Sequence, residues 1–320
     1  GDTEMKKPIL YIVIPCYNEQ EVLPETIKRL SAKLCEMIGS GLCSSESRML
    51  FVDDGSKDST WEIIIKAHSE NEYVCGLKLS HNRGHQNALL AGLMSAKELC
   101  DCAVSMDADL QDDIGVLDEF VQKYIDGCDI VYGVRSNRKK DTFFKRFTAA
   151  CFYKFMKLLG VEIINNHADY RLMSKRTLNT LSEYREVNLF LRGIVPLMGF
   201  KSDIVYYERD KRFAGESKYP LKKMISFAVD GITSFSVKPL KLISNVGIII
   251  SLLSVLGILY ALISKIMGTA APGWTATIAS IWLVCGIIMF CLGVIGEYIG
   301  KIYIEVKARP KYTVEEFLKK

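Results

Sequence analysis

Short apolar runs recur through the first half of the chain, at Ile9–Ile14, Met49–Val52, Val74–Leu79, Ala103–Met106 and Ile130–Val134. Between them lie helix-length segments of mixed character, Gln20–Ile38, Ser59–Ala67, Gln86–Leu99 and Ile114–Ile125. This alternation predicts parallel strands joined by crossover helices, and so an α/β domain. No internal repeat or low-complexity tract interrupts it.

The pattern changes near the C-terminus. Leu242–Ser264 carries no charged side chain, and a second uncharged stretch runs from Met267 to Gly296. A helix of about 22 residues at about 1.5 Å each spans a hydrocarbon core of about 30 Å, so two transmembrane helices are expected. A buried hairpin in a soluble protein is the alternative. Lys222, Lys223, Lys238 and Lys241 precede the first stretch, and Lys301, Lys307, Arg309 and Lys311 follow the second, which places both ends in the cytoplasm by the positive-inside rule. Phe143–Leu159 and Leu221–Val237 mix apolar residues with Lys and Arg on helical spacing. Each fits either packing on the domain or lying in the membrane interface, and nearness to the first span favours the interface for Leu221–Val237. The expected organisation is a cytoplasmic catalytic domain over residues 1–218, a juxtamembrane amphipathic helix over 219–240, two membrane helices with a short external loop over 241–300, and a cytoplasmic tail over 301–320. Gly1–Lys7 is polar and lacks the apolar core of a signal peptide, so the first domain is expected to stay in the cytoplasm.

Composition narrows the class. With 320 residues, 49% hydrophobic and 24% charged, the chain is neither disordered nor a small disulfide scaffold. A net charge of +4 with dispersed Lys and Arg gives no sign of nucleic-acid binding. The ten cysteines form no CxxC pair and fall in apolar surroundings, so they read as reduced small hydrophobes.

Ligands of open parallel sheets bind at the carboxyl ends of the strands. There the chain places Pro15-Cys16-Tyr17-Asn18-Glu19, Asp53-Asp54-Gly55-Ser56 and Asp107-Ala108-Asp109-Leu110-Gln111-Asp112. A single Asp at such a position serves equally as a turn or cap residue. Several converging on one edge repel one another unless a hard cation joins them. Mg²⁺ or Mn²⁺ held by few protein ligands completes its shell with water and phosphate oxygens, which points to a nucleoside diphosphate carrying a leaving group. Neither a GxxxxGK[ST] loop nor a GxGxxG after a strand occurs. His81-Asn82-Arg83-Gly84-His85-Gln86 opens a helix, where Arg83 meets either a diphosphate or only solvent.

The Ile-Val-Ile-Pro-Cys-Tyr-Asn-Glu opening, Val52–Ser56, Met106–Asp112, Ala168-Asp169-Tyr170-Arg171-Leu172 and Gly215-Glu216-Ser217-Lys218-Tyr219, in that order before two membrane stretches, resemble the family 2 inverting glycosyltransferases. More narrowly they are similar to polyisoprenyl-phosphate hexosyltransferases of the bactoprenol glucosyltransferase and dolichol-phosphate mannose synthase type. The resemblance covers nearly the whole chain and implies a GT-A nucleotide-diphospho-sugar transferase domain, Rossmann-like. It implies that Pro15, Tyr17, Glu19, Asp54, Arg83 and Asp107 hold the nucleotide sugar, with Asp54 accepting the uracil N–H. Asp107, Asp109 and Gln111 would bind Mg²⁺ or Mn²⁺. Asp169 and Asp109 would be catalytic, and Arg135, Arg138, Arg212, Ser217 and Lys218 would meet the acceptor phosphate. The implied partners are a nucleotide sugar, chosen as UDP-glucose, undecaprenyl phosphate, membrane lipids and further copies of the chain, a homotetramer being what relatives suggest. The implied location is the bacterial plasma membrane. GDP-mannose, UDP-GlcNAc and UDP-aminoarabinose are the alternative donors.

Polyprenyl phosphate is ionised near neutral pH and attacks the sugar C1 without losing a proton, so Asp169 is expected to orient rather than to act as a base. A processive synthase would need a QxxRW-type motif and more membrane helices, and neither is present. A nucleotide-sensing membrane scaffold would not need an intact Asp107, Asp109 and Asp169.

Overall fold

The computed structural model describes residues 7–136, 167–186, 191–208 and 273–320, with scattered positions from 240 to 267. The five expected strands form as β1 (Leu10–Cys16), β2 (Arg48–Asp53), β3 (Val74–Leu79), β4 (Cys102–Ser105) and β5 (Ile130–Arg135). The expected helices form as α1 (Leu23–Gly39), α2 (Thr60–Glu70), α3 (His85–Ala96) and α4 (Leu117–Ile125), the last entered through a 3-10 turn over Ile114–Val116. The second half adds β6 (His167–Ser174), α5 (Lys175–Glu183), α6 (Leu191–Leu197), β7 (Ser202–Tyr207), α7 (Trp274–Lys307) and β8 (Val314–Leu318).

The strands make one sheet in the order β7-β5-β6-β4-β1-β2-β3-β8. It corrects the expectation of an all-parallel sheet. β1 to β4 are parallel, but β6 runs antiparallel between β4 and β5, and β8 runs antiparallel on the edge of β3. Alternating polar residues such as Asp169 and Arg171 hide β6 from a search for apolar runs.

β1 is buried along its whole length, as a central strand covered on both faces must be. On one face α1 turns Leu23, Leu30, Leu34 and Met37 inward. α3 lies against β1 and β2 so closely that a Cβ added at Gly92 would sit 2.4 Å from Val13 Cγ1 and 2.7 Å from Val52 Cγ2. This close seat fixes α3, whose first residues His85 and Gln86 reach the carboxyl ends of the strands.

Contacts divide the chain into two units, one carrying the sheet together with Ala308–Lys320, the other carrying α7. Within α7, Leu283–Lys307 has a mean hydropathy of 2.1 over its most apolar window, with none of that window buried, and among the described residues it is the one helix long and apolar enough to cross a membrane. Its 25 residues extend about 37 Å at about 1.5 Å each. The first expected span, Leu242–Ser264, is described only at isolated helical positions, and the expected amphipathic segments Phe143–Leu159 and Leu221–Val237 lie outside the described residues. The expected tail is not all loose extension: β8 pairs with β3 from Gly76↔Leu318 to Leu79↔Val314, and Lys78 Nζ meets Glu315 Oε1 at 3.1 Å.

Candidate active site

Because β4 and β6 are antiparallel with Ser105 opposite Arg171, the start of β6 lies at the same sheet edge as the end of β4. Extending that register by two residues brings Asp169 level with Asp107. Ser105 Oγ donates to the Asp169 carbonyl and fixes the join.

His85 ties the two acids together. Its Nε2 lies 3.5 Å from Asp107 Oδ1 and 3.8 Å from Asp169 Oδ2. Loss of water around Asp107 raises its carboxyl; His85 opposes the rise, and repulsion from Asp112, Asp169 and Asp109 adds to it, leaving it pushed up to about 6. Among the described residues no group of three or more His, Cys, Asp or Glu side chains forms a metal cage. The carboxylates of Asp107 and Asp109 are hard oxygen donors, a set that fits a divalent cation taking the rest of its shell from substrate and water.

The turn carrying Asp107 and Asp109 is held from several sides. Thr26 Oγ1, buried on α1, donates to the Ala108 carbonyl at 2.8 Å, and the Gln111 N–H donates to Asp109 Oδ1 at 3.2 Å. Leu110 adopts φ +56°, in the left-handed region that ordinary side chains rarely occupy.

Asp169 is a hub. Arg171 Nη2 reaches its Oδ1 at 2.7 Å, Arg192 Nη2 reaches Oδ2 at 3.0 Å and Arg192 Nε reaches Oδ1 at 3.2 Å, while Gln86 Nε2 donates to Oδ2 at 3.2 Å. Burial alone would raise this carboxyl, but the charges of Arg192 and Arg171 overturn that and hold it well below the usual carboxylate range. A carboxylate so stabilised has little affinity for a proton, in keeping with an orienting role.

The nucleotide-side residues fall on two adjoining loops. Pro15 is buried at the end of β1, paired with Val52, while Tyr17 is exposed and Glu19 half-buried in the following loop. That loop is joined to the next by Glu19 N–H on Thr60 Oγ1 at 2.9 Å and Lys57 N–H on Asn18 Oδ1 at 2.9 Å. Asp54 closes the next loop. Its Oδ1 accepts the Arg83 N–H at 2.7 Å and its Oδ2 the Gly84 N–H at 2.9 Å, so it clamps the loop that delivers His85 and Gln86. Burial raises the Asp54 carboxyl, and those two N–H groups oppose the rise. Arg83 gives its backbone N–H to this clamp, and its side chain is exposed. Gly55, at φ +65°, permits the close approach: a Cβ there would lie 2.7 Å from Asn82 N and His81 C.

On the other flank, Arg135 Nε donates to Tyr207 Oη at 3.2 Å, and Tyr207 Oη donates to buried Asp112 Oδ1 at 2.6 Å. Arg138, Arg212, Ser217 and Lys218, expected at the acceptor phosphate, lie outside the described residues. The structure brings together Asp107, Asp109 and Asp169, and adds His85, Gln86, Thr26 and Arg192, to which sequence reading gave no role. His85 and Gln86 stood in a motif at a helix start; Arg192 had no local signal. Cys16, Cys43, Cys75, Cys100, Cys102 and Cys128 are buried free thiols, and burial pushes Cys100 up to about 12, so they serve as packing.

A mixed α/β sheet with acids gathered at the carboxyl ends of its parallel strands has the GT-A architecture of nucleotide-sugar-dependent glycosyltransferases. Residues 11–182 match the model of glycosyl transferase family 2, and residues 238–302 match that of the GtrB C-terminal hairpin. The chain is 53% identical to the glycosyltransferase YkoT of Bacillus subtilis (strain 168), over 98% of this chain and 93% of that protein. It is 37% identical to a prophage bactoprenol glucosyl transferase homolog of Escherichia coli (strain K12), over 96% and 99%. It is 36% identical to the bactoprenol glucosyl transferase of Shigella phage SfII, over 95% and 97%. The chain belongs to glycosyl transferase family 2 and is a glycosyltransferase.

Proposed function

We propose that this glycosyltransferase moves a single glucose from UDP-glucose to undecaprenyl phosphate with inversion at C1, making a lipid-linked sugar for cell-envelope glycan modification. One observation carries the reading: in a single chain, the Asp107–Asp169 edge of the sheet is combined with a GtrB-type hairpin, over nearly the full length of proteins named bactoprenol glucosyl transferases. The length and apolarity of α7 support a membrane location, and the match of residues 238–302 to the GtrB C-terminal hairpin supports a multi-pass chain.

In this scheme an ionised phosphate oxygen of the acceptor attacks C1 of the glucose as the C1–O bond to UDP breaks. The product is a phosphodiester, the leaving group is UDP, and no proton needs to be removed from the nucleophile. Asp107 and Asp109, with Gln111, would hold Mg²⁺ or Mn²⁺, which when bound supplies positive charge to the departing diphosphate. Pro15, Tyr17, Glu19, Asp54, Arg83 and Asp107 border the nucleotide sugar. Asp169 stays ionised and orients its neighbours. Arg135, with Arg138, Arg212, Ser217 and Lys218, would offset the acceptor charge.

The test uses the full chain in detergent with undecaprenyl phosphate, divalent cation and a panel of UDP-glucose, UDP-GlcNAc, GDP-mannose and UDP-aminoarabinose. The expected result is one glucose on the lipid phosphate with equal release of UDP, abolished by chelation. Preference for another donor replaces glucose in the reading, and UDP release that ignores the lipid overturns the acceptor.

A further inference from the structure

β5 and β7 run parallel with Arg135 directly opposite Tyr207, and both ends of the tyrosine hold the segment that leaves β5. Its carbonyl accepts from the N–H and the hydroxyl of Ser136, at 2.9 and 3.0 Å, and its own hydroxyl oxygen accepts from Arg135 Nε at 3.2 Å. The phenolic proton goes elsewhere: Tyr207 Oη donates it to Asp112 Oδ1 at 2.6 Å. A hydroxyl that gives its proton to a carboxylate becomes a stronger acceptor, so Arg135, Tyr207 and Asp112 form a polarised chain with one direction. Asp112 is buried and closes the acidic stretch that begins at Asp107.

The tyrosine is itself fixed. It is buried, its ring lies edge-on to Tyr170 with centroids 5.4 Å apart, and a Cβ added at Gly133 of β5 would come within 3.1 Å of Tyr207 Cε1. Tyr170 in turn donates to the Asp113 carbonyl at 3.0 Å, so two neighbouring tyrosines pin the end of the acidic stretch. Arg135 differs in keeping 31% of its side chain in solvent, with Nη2 3.7 Å from Asp112 Oδ1, too far for a hydrogen bond. The hydroxyl thus sets the plane of the guanidinium at Nε and leaves recognition to the Nη fork, the part of arginine suited to phosphate oxygens. Burial disfavours the charge on Arg135, but Tyr207, Asp112 and Asp107 outweigh it and raise its pKa, which puts the residue beside the acidic edge of the site. Tyr207 is no proton donor to the reaction, because burial and then the charge of Asp112 push its hydroxyl well above the ordinary phenol range.

We propose that Tyr207 is a positioning residue for the acceptor: anchored on Asp112, its hydroxyl holds the Arg135 guanidinium in the plane that receives the lipid phosphate. The inference rests on the glycosyl-transfer reading, in which Arg135 meets that phosphate, and deepens it.

The experiment uses the full chain in detergent, unaltered and as Tyr207→Phe, Arg135→Lys and the two combined. It measures binding of undecaprenyl phosphate with a chelator present, binding of UDP with Mg²⁺, the lipid KM against kcat, and thermal melts. Tyr206→Phe, on the same strand but exposed, is the control expected to match the unaltered chain. Tyr207→Phe is expected to weaken lipid binding and raise the lipid KM about tenfold, with UDP affinity and kcat held within about twofold. Arg135→Lys should also weaken the lipid, but adding it to Tyr207→Phe should cost little more, since the tyrosine acts through the arginine. If Tyr207→Phe alone melts too low to assay, Tyr207→Phe with Asp112→Asn removes the hydroxyl and the buried charge together and is read for the lipid in the same way. Unchanged lipid affinity in the folded variant, losses in the two single variants that simply add, or equal loss of lipid and UDP overturns the proposal. An unaltered chain that binds UDP but not the lipid instead removes the acceptor from the proposed function, and this proposal with it.

Discussion

The hydroxyl of Thr26 on α1 donates to the carbonyl of Ala108, 2.8 Å away, and so anchors the one residue that separates Asp107 from Asp109. A helix on one face of the sheet thereby sets the position of an acidic turn at its edge. Thr26→Val keeps the shape and removes the donor, leaving a buried carbonyl short of a partner. The expected cost is about 1–3 kcal/mol of stability, read from thermal melts, together with weaker metal-dependent UDP binding. A variant with unchanged UDP affinity would show that the turn holds its position without α1.

Asp169 links stability to pH. Its folded carboxyl is held well below its unfolded value of about 3.9, so the stabilisation is fully present above pH about 4 and is lost as pH falls below it. Melting curves of the unaltered chain and of Asp169→Asn should therefore differ most near neutrality, with the gap narrowing progressively as the pH falls below about 4. Over pH 6 to 8.5, turnover should show no limb that disappears in Asp169→Asn. Such a limb, with activity restored at high pH, would mean that the residue acts as a base.

Gly92 tests the seat of α3. Alanine there gains about 1 kcal/mol in helix propensity, but its Cβ would meet Val13 Cγ1 at 2.4 Å and Val52 Cγ2 at 2.7 Å, within a fully buried layer. Overpacking of this kind costs about 1–3 kcal/mol, so Gly92→Ala should be net destabilising and should displace His85 and Gln86. A melting temperature equal to or above that of the unaltered chain would mean that the two valines yield freely.

Removal of Val314–Lys320 should uncover the edge of β3 and delete the Lys78–Glu315 pair. The exposed pair itself contributes little. The loss of a whole ladder should matter more, lowering the melting temperature of the sheet-bearing unit and raising aggregation. Membrane association through α7 should persist in the same preparation, measured by flotation with vesicles. Unchanged thermal stability would mark β8 as an ornament of the edge.

Much of the fold was legible because the parallel strands are buried on both faces and so are written as uninterrupted apolar runs; β3 even begins and ends where the run Val74–Leu79 does. The strands that were not legible are those at edges or beside the site. β7 and β8 expose much of their surface, and β6 carries Asp169 and Arg171 in its middle, so none of them shows the apolar signal on which the reading depended. In the site, Asp107 and Asp109 could be seen because they follow a strand in a recognisable motif. Arg192 could not, since its partner Asp169 lies 23 positions away and nothing local to α6 marks it.

The sequence by itself determined the layered α/β domain, the acidic turns at the ends of β1, β2 and β4, and the apolar stretch that becomes α7, because burial on both faces, turn chemistry and hydrocarbon thickness each leave a local pattern. Only the tertiary structure decided that β6 runs antiparallel. That reversal puts the beginning of β6, rather than its end, at the working edge of the sheet and so brings Asp169 level with Asp107. Direction in a sheet is set by pairing between distant segments, and no local pattern records it.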